Sequence, residues 1–156
     1  MPEHHSADDR RGLGNGHPHG RVPYASPFTL VGRLRSFRNA AKGAWFVLRS
    51  QHNAWVHAAA TAAVLVLGTF LHITVRPFSL AEWCTLVIAI ATVWVAETFN
   101  TGLEVLAEAI TQERHPVLKV AKDVAAAAVL IAAIGAAIVG AILFLPPLVE
   151  LVKRCG

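Results

Sequence analysis

Charge is scarce in this 156-residue chain: Asp, Glu, Lys and Arg make up only 15% of it, against 54% hydrophobic residues. Soluble domains carry about 25% charged residues, so this composition does not supply an ordinary water-facing surface. From Val124 to Val149 there are 26 residues without a single Asp, Glu, Lys or Arg. A membrane span needs about 20 apolar residues at about 1.5 Å rise each, and this run is long enough. Cysteine is nearly absent as well. The two present, Cys84 inside an apolar run and Cys155 near the end, exclude a disulfide-stapled secreted scaffold. The length excludes a large two-domain enzyme. No apolar h-region of about 7–15 residues lies near the start, so no signal peptide is expected. Walker A, kinase-type glycine-rich and G-x-S-x-G motifs are missing too. With a mean hydropathy of +0.49, the composition describes a small integral membrane protein.

The positive balance, +4 with an isoelectric point near 9.6, follows membrane topology. Eight of the 14 Lys and Arg (Arg10, Arg11, Arg21, Arg33, Arg35, Arg38, Lys42, Arg49) precede the first apolar segment. The positive-inside rule produces that asymmetry when the N-terminus is cytoplasmic. No nucleic-acid-binding module accompanies the charge, so nucleic acid is not an expected partner.

Residues 1–27 are polar, rich in Gly, Pro and His, and without apolar periodicity, which predicts a disordered tail; a domain boundary is set at about residue 30. His4, His5, His17 and His19 are read as solvated residues of that tail, without the fixed geometry of a metal site. Phe37, Ala40, Ala41, Ala44, Trp45 and Leu48 then share one helical face, with Arg35, Arg38, Lys42 and Arg49 on another. An apolar face beside a cationic one predicts a helix lying in the bilayer interface, over about residues 34–50.

Three apolar segments follow, predicting spans at about 54–72, 80–108 and 122–146, and so an all-α membrane domain over about 31–151. The first carries His57 as its titratable group and the second Glu82 near its start. Trp55, Trp83 and Trp94 lie near segment ends, where aromatic belts form. A cytoplasmic N-terminus puts the 72–79 loop and the C-terminus outside and the 97–123 stretch inside. Eleven of the 14 Lys and Arg then face the cytoplasm. The third span is crowded with small residues, from Ala125 to Ala141, that let helices approach closely. Self-association is expected, because three spans alone make a thin bundle.

Just past the second apolar run stand Glu97, Asn100, Glu104 and Glu108. At about 100° per residue the last three lie at about −60°, −20° and +20° from Glu97, so three carboxylates and an amide share one narrow stripe. A solvated helix face is one reading. Two features oppose it: like charges at i, i+4 destabilise a helix unless a cation joins them, and Glu97 follows Ala96 at membrane depth, where an ionisable residue is functional by default. Mg²⁺ would relieve both, since it prefers carboxylate oxygens completed by waters and substrate phosphates. Lys122 is placed at the start of the third span, where the helix dipole favours an anion; a bound phosphate explains it, and so does a snorkelling interfacial lysine. Asp123 fits an N-cap. These residues point to phosphoryl chemistry on a lipid.

The pattern E-x-x-N-T-G-L-E-x-x-x-E over 97–108, followed by H-x-x-x-x-x-x-K-D-x-A-A-A-A-V-L over 115–130, closely resembles the prokaryotic diacylglycerol kinase and undecaprenol kinase family. The resemblance extends over about residues 30–145. It implies a homotrimeric membrane kinase, each subunit with an N-terminal surface helix and three transmembrane helices. Shared active sites at the cytoplasmic face of the bacterial inner membrane use Mg²⁺ and ATP to phosphorylate a lipid alcohol. By the same resemblance Glu97 is the catalytic base and Glu104 a metal ligand, while Asn100, Glu108, His115, Lys122 and Asp123 contact the nucleotide, with Lys122 on the phosphates. One departure concerns the metal: where the family's surface helix usually ends in a glutamate, this chain has Gln51, a neutral and weaker Mg²⁺ ligand. The stretch Asn53 to His57, and Ala126, favour undecaprenol over diacylglycerol as substrate. The rival from another class is a non-catalytic membrane assembly protein whose acidic stripe pairs with basic residues of a partner.

Overall fold

The computed structural model describes residues 29–113 and 115–155. The tail, His4, His5, His17 and His19 included, and Arg114 lie outside the described residues. Within them the elements are α1 (Leu30–Ser50), α2 (His52–Thr74), α3 (Leu80–Ile110) and α4 (Pro116–Cys155). The chain divides into two compact units at Ser36 and Phe37. In the first, the Gly32 amide donates to Thr29 Oγ1 at 3.1 Å and Ser36 Oγ donates to the Gly32 carbonyl at 3.0 Å. The Thr29 hydroxyl satisfies an amide that the helix start leaves without a partner, while Ser36 only bonds back onto the preceding turn.

In the second unit, three helices are long and apolar enough to cross a membrane: His52–Thr74, Leu80–Ile110 and Pro116–Arg154. Most of their large apolar side chains, among them Val66, Ile88, Val95, Ile131 and Ile142, remain exposed within one chain. Lipid, or neighbouring helices, must cover them. Inside the unit α3 and α4 form the most extensive pairing, and α2 packs against both.

The best-packed region lies where α2 turns into α3. Leu71, Val75, Phe78, Leu86 and Phe144 form a buried cluster, flanked by Val64, Leu67, Trp83, Ile90, Leu143, Leu148 and Leu151. The turn itself is built from polar bonds. Val75 and Arg76 amides close on the Leu71 carbonyl, and the Phe78 amide donates to His72 Nδ1 at 2.8 Å. Ser79 and Glu82 form a capping box that starts α3. Arg76 then reaches Glu82 at 2.6 Å and lies 5.0 Å from the centre of the Phe78 ring. Its hydrogen bond to the Glu82 carboxylate raises the guanidinium pKa further, keeping the pair ionised. Arg154 bonds both Glu150 and the Val75 carbonyl, tying the end of α4 to this turn.

Helix α4 departs from its expected bounds at both ends. The span expected to stop near Pro146 and Pro147 runs as helix through both to Cys155. A proline withholds the bond to the carbonyl four residues back, so Ile142 and Leu143 lose their usual donors. Packing holds the helix there regardless: Pro147 is fully buried, and Phe144, Leu143, Leu148 and Leu151 all join or flank the cluster. The start also lies earlier than residue 122. Pro116 suits a first helical position, where no amide is needed, and Lys119 donates to the His115 carbonyl at 3.0 Å. Lys122 and Asp123 are therefore nearly two turns inside the helix. The N-cap assignment for Asp123 is withdrawn, and Lys122 lies beyond the first turn, where the dipole acts.

Leu71 is fully buried at the centre of the cluster, so Leu71→Ala should open a cavity that its neighbours only partly fill. Because unfolding within a bilayer leaves the side chain in lipid, the expected loss is about 2 kcal/mol, the low end of the range for soluble cores. Reversible unfolding by SDS in mixed micelles measures it, and an unchanged transition would contradict the cluster's role.

Candidate functional site

The buried positions of α3 are Leu86, Val93, Glu97, Asn100, Thr101 and Ala107. Their spacing follows one helical face, turned inward along its whole length. That face is apolar at Leu86 and Val93, polar at Glu97, Asn100 and Thr101, and ends on Ala107. Glu97 is 0% exposed and Asn100 6%. The solvated-face reading is thus overturned where the stripe begins. It survives further along, for Glu104 is half-buried and Glu108 exposed, so the four residues pass from protein interior to open cleft within about three turns.

Glu104 is the hub of the middle level. Gln51 Nε2 donates to its Oε2 at 2.9 Å and Asn100 Nδ2 to its Oε1 at 3.1 Å. Gln51 stands between α1 and α2 with an extended backbone, in the N-cap position of α2, yet makes no capping bond. Residues at that position usually turn a side-chain oxygen onto the helix start. Here the side chain goes to Glu104 instead, across 53 residues of sequence. One level deeper, His57 Nε2 lies 3.6 Å from Glu97 Oε2. Neither oxygen of Glu97 has a hydrogen-bond partner among the described residues, nor has Asn100 Oδ1.

Beyond the stripe, the end of α3 and the start of α4 enclose an open cleft of about 740 Å³. Glu108, His115, Lys122 and Asp123 all line it, together with Thr111 and Lys119. Lys119 pairs with Asp123 at 2.6 Å, so Asp123 is engaged within its own helix. The expected site residues therefore fall into three levels: Glu97 in the interior, Gln51 with Asn100 and Glu104 in one hydrogen-bonded group, and Glu108 with His115, Lys122 and Asp123 around the cleft.

Two participants were not singled out from the sequence. Lys119 lies one turn before Lys122 on the cleft, a spacing visible once the helix is known to start at Pro116. His57 was the titratable group of the first span, which by itself marks an intramembrane residue for attention. Among the described residues, no group of three or more His, Cys, Asp or Glu is arranged to hold a metal ion.

Three helices long and apolar enough to cross a membrane, with a buried carboxylate on one inward face and a cleft bearing two lysines beyond it, define a class: a polytopic membrane protein with a polar site toward one end of its helices. The family follows from comparison. Residues 38–144 match the family model for prokaryotic diacylglycerol kinase, and the chain belongs to that family of lipid kinases. Every proposed site residue from Gln51 to Asp123 lies inside the matched region. An undecaprenol kinase of Bacillus subtilis (strain 168) is 37% identical over 115 residues, 74% of this chain and 89% of that protein. A diacylglycerol kinase of Synechocystis sp. is 37% identical over 119 residues, 76% of this chain and 65% of that protein. The resemblance read from residues 97–130 is borne out.

The Gln51–Glu104 bond has a direct consequence. Gln51→Glu would replace a donor with an acceptor beside a carboxylate, so in a chelating buffer it should lower stability by about 1–3 kcal/mol. Thermal unfolding in detergent with EDTA checks this; an unchanged midpoint would mean that the two side chains do not meet.

Proposed function

We propose that this chain phosphorylates a membrane lipid alcohol, converting undecaprenol to undecaprenyl phosphate with ATP as donor. The observation that carries the proposal is the position of Glu97: a carboxylate held in the interior, without a donor, about 10 Å along the helix from Glu104. A carboxylate oxygen with no hydrogen-bond partner among the described residues is open to accept a proton from a hydroxyl placed against it. The lipid hydroxyl arrives along the bilayer, gives its proton to Glu97 and attacks the terminal phosphorus of ATP in line, while the bond from that phosphorus to the bridging oxygen breaks and ADP leaves. Lys122 and Lys119 offset phosphate charge in the cleft, with Asn100, Glu108, His115 and Asp123 contacting the nucleotide.

Mg²⁺ fits the middle level. The buried, partnerless Asn100 Oδ1 stands in the group that contains Glu104, and a half-turn of the Gln51 amide would present its oxygen too. One carboxylate with amide oxygens suits a cation that takes its remaining ligands from phosphates and water. Bound there, Mg²⁺ would neutralise part of the phosphate charge. Undecaprenol is favoured over diacylglycerol by the Asn53 to His57 stretch and Ala126. We further propose a homotrimer with shared sites in the bacterial inner membrane, with α1 as an amphipathic helix on the cytoplasmic surface. The large apolar surface each span leaves uncovered supports the assembly.

Glu97→Gln should remove at least about 90% of phosphoryl transfer without loss of assembly, since general-base catalysis contributes about 10²–10⁴. A Mg²⁺-ATP assay with undecaprenol or diacylglycerol in mixed micelles measures it. Turnover of diacylglycerol alone would reassign the substrate, and turnover of neither by the intact assembly would favour the non-catalytic membrane protein. If Gln51 and Glu104 share the cation, Gln51→Glu should also move the Mg²⁺ midpoint several-fold lower; a flat response would remove Gln51 from the metal site. Cysteine reporters in 110–118 should label from the cytoplasmic side and one beside Arg76 from outside. Labelling of both from one side would collapse the proposed topology.

A further inference from the structure

The interior end of the stripe holds three buried polar atoms without hydrogen-bond partners: His57 Nε2 and both carboxylate oxygens of Glu97. Leaving even one such group unsatisfied is costly, and a carboxylate oxygen more so than most. Other polar side chains nearby are already committed. The amides of Gln51 and Asn100 serve Glu104, and Thr101 Oγ1 donates to the Glu97 backbone carbonyl at 3.0 Å. Among the described residues, His57 is the donor that faces the Glu97 carboxylate, at 3.6 Å.

That approach is fixed by two helices. His57 and Thr61 are one turn apart on α2, and Trp94 and Glu97 one turn apart on α3. Trp94 Nε1 donates to Thr61 Oγ1 at 3.1 Å, and its ring meets the His57 ring edge-on with centroids 6.4 Å apart. The pair of contacts sets where the imidazole lies. Two donors are needed to satisfy the carboxylate, and the described residues supply one.

We propose that His57 is a positioning residue for Glu97: its Nε2–H donates to Oε2, so that Oε1 faces the hydroxyl of the lipid alcohol. The proposal rests on the assignment of Glu97 as base. The separation exceeds hydrogen-bond length by about 0.5 Å, and catalytic hydrogen bonds commonly tighten once substrate is present. With the hydroxyl in place, all three partnerless atoms are satisfied together. In this role His57 keeps its Nε2 proton throughout the transfer and acts as a donor alone.

The test compares His57→Leu, His57→Gln and Glu97→Gln in the micelle assay, with kcat and the KM for ATP measured separately. His57→Leu should lower kcat at least about tenfold while KM for ATP moves less than about twofold, the pattern of a contact used in the chemical step and not in nucleotide binding. His57→Gln places an amide N–H near the position of Nε2 and should recover most of the rate. Equal loss in both variants, or none in either, would overturn the proposal. If Glu97→Gln remains active, the assignment of the base fails and this inference with it. If Glu97→Gln is inactive while His57→Leu is not, the inference fails alone. A readout without turnover covers a His57→Leu variant that does not assemble: in ¹⁵N-histidine-labelled protein, the His57 Nε2 resonance should shift in Glu97→Gln, and an unmoved resonance would sink the contact.

Discussion

A carboxylate in the interior of a membrane protein constrains everything around it. Glu97 is fully buried on the face of α3 that is apolar a few turns earlier. Desolvation makes an isolated charge there expensive, and the cost persists unless donors or cations are brought to it. The fold keeps α2 against α3 so that His57 and Trp94 stay at that level. It also keeps Gln51 at the joint of α1 and α2, where its side chain reaches Glu104 in preference to capping its own helix.

The two ends of the spans are built differently. Around the α2–α3 turn, aromatic and aliphatic side chains fill the space, the Ser79–Glu82 capping box starts α3, and Arg76, Glu82, Glu150 and Arg154 tie three helices together. At the other end, polar groups replace packing and a cleft of about 740 Å³ opens between α3 and α4. A tightly packed end can fix the helix directions while the opposite end stays open as a polar cleft. The continuity of α4 through Pro146 and Pro147 belongs to the first of these tasks. Pro147 is fully buried while Pro146 is exposed, and the same helix carries Lys119 and Lys122 to the cleft at its other end.

Much of this was legible in the sequence because it depends on periodicity. The three long apolar helices and the stripe of Glu97, Asn100, Glu104 and Glu108 follow from where apolar and charged residues recur, and the motif around 97–130 carried the family. Local signals misled at α4. Proline pairs usually end helices, but that signal does not contain the packing that holds α4 together beyond Pro147; a Lys–Asp pair before an apolar run resembles a helix start, but Pro116 begins the helix earlier.

What the sequence determined by itself was therefore the number and polarity of the helices and which side chains share a face, since both are properties of a single helix. Tertiary structure decided which part of the stripe is interior. Glu97 and Glu108 are chemically alike and share one face of α3, but only Glu97 is covered by neighbouring helices. It also decided the pairings of Gln51 with Glu104 and of His57 with Glu97, each joining residues about 40 or more positions apart. No spacing rule reaches that far, because such contacts depend on how α2 and α3 are set against each other. That setting comes from the packing at the far end of the spans.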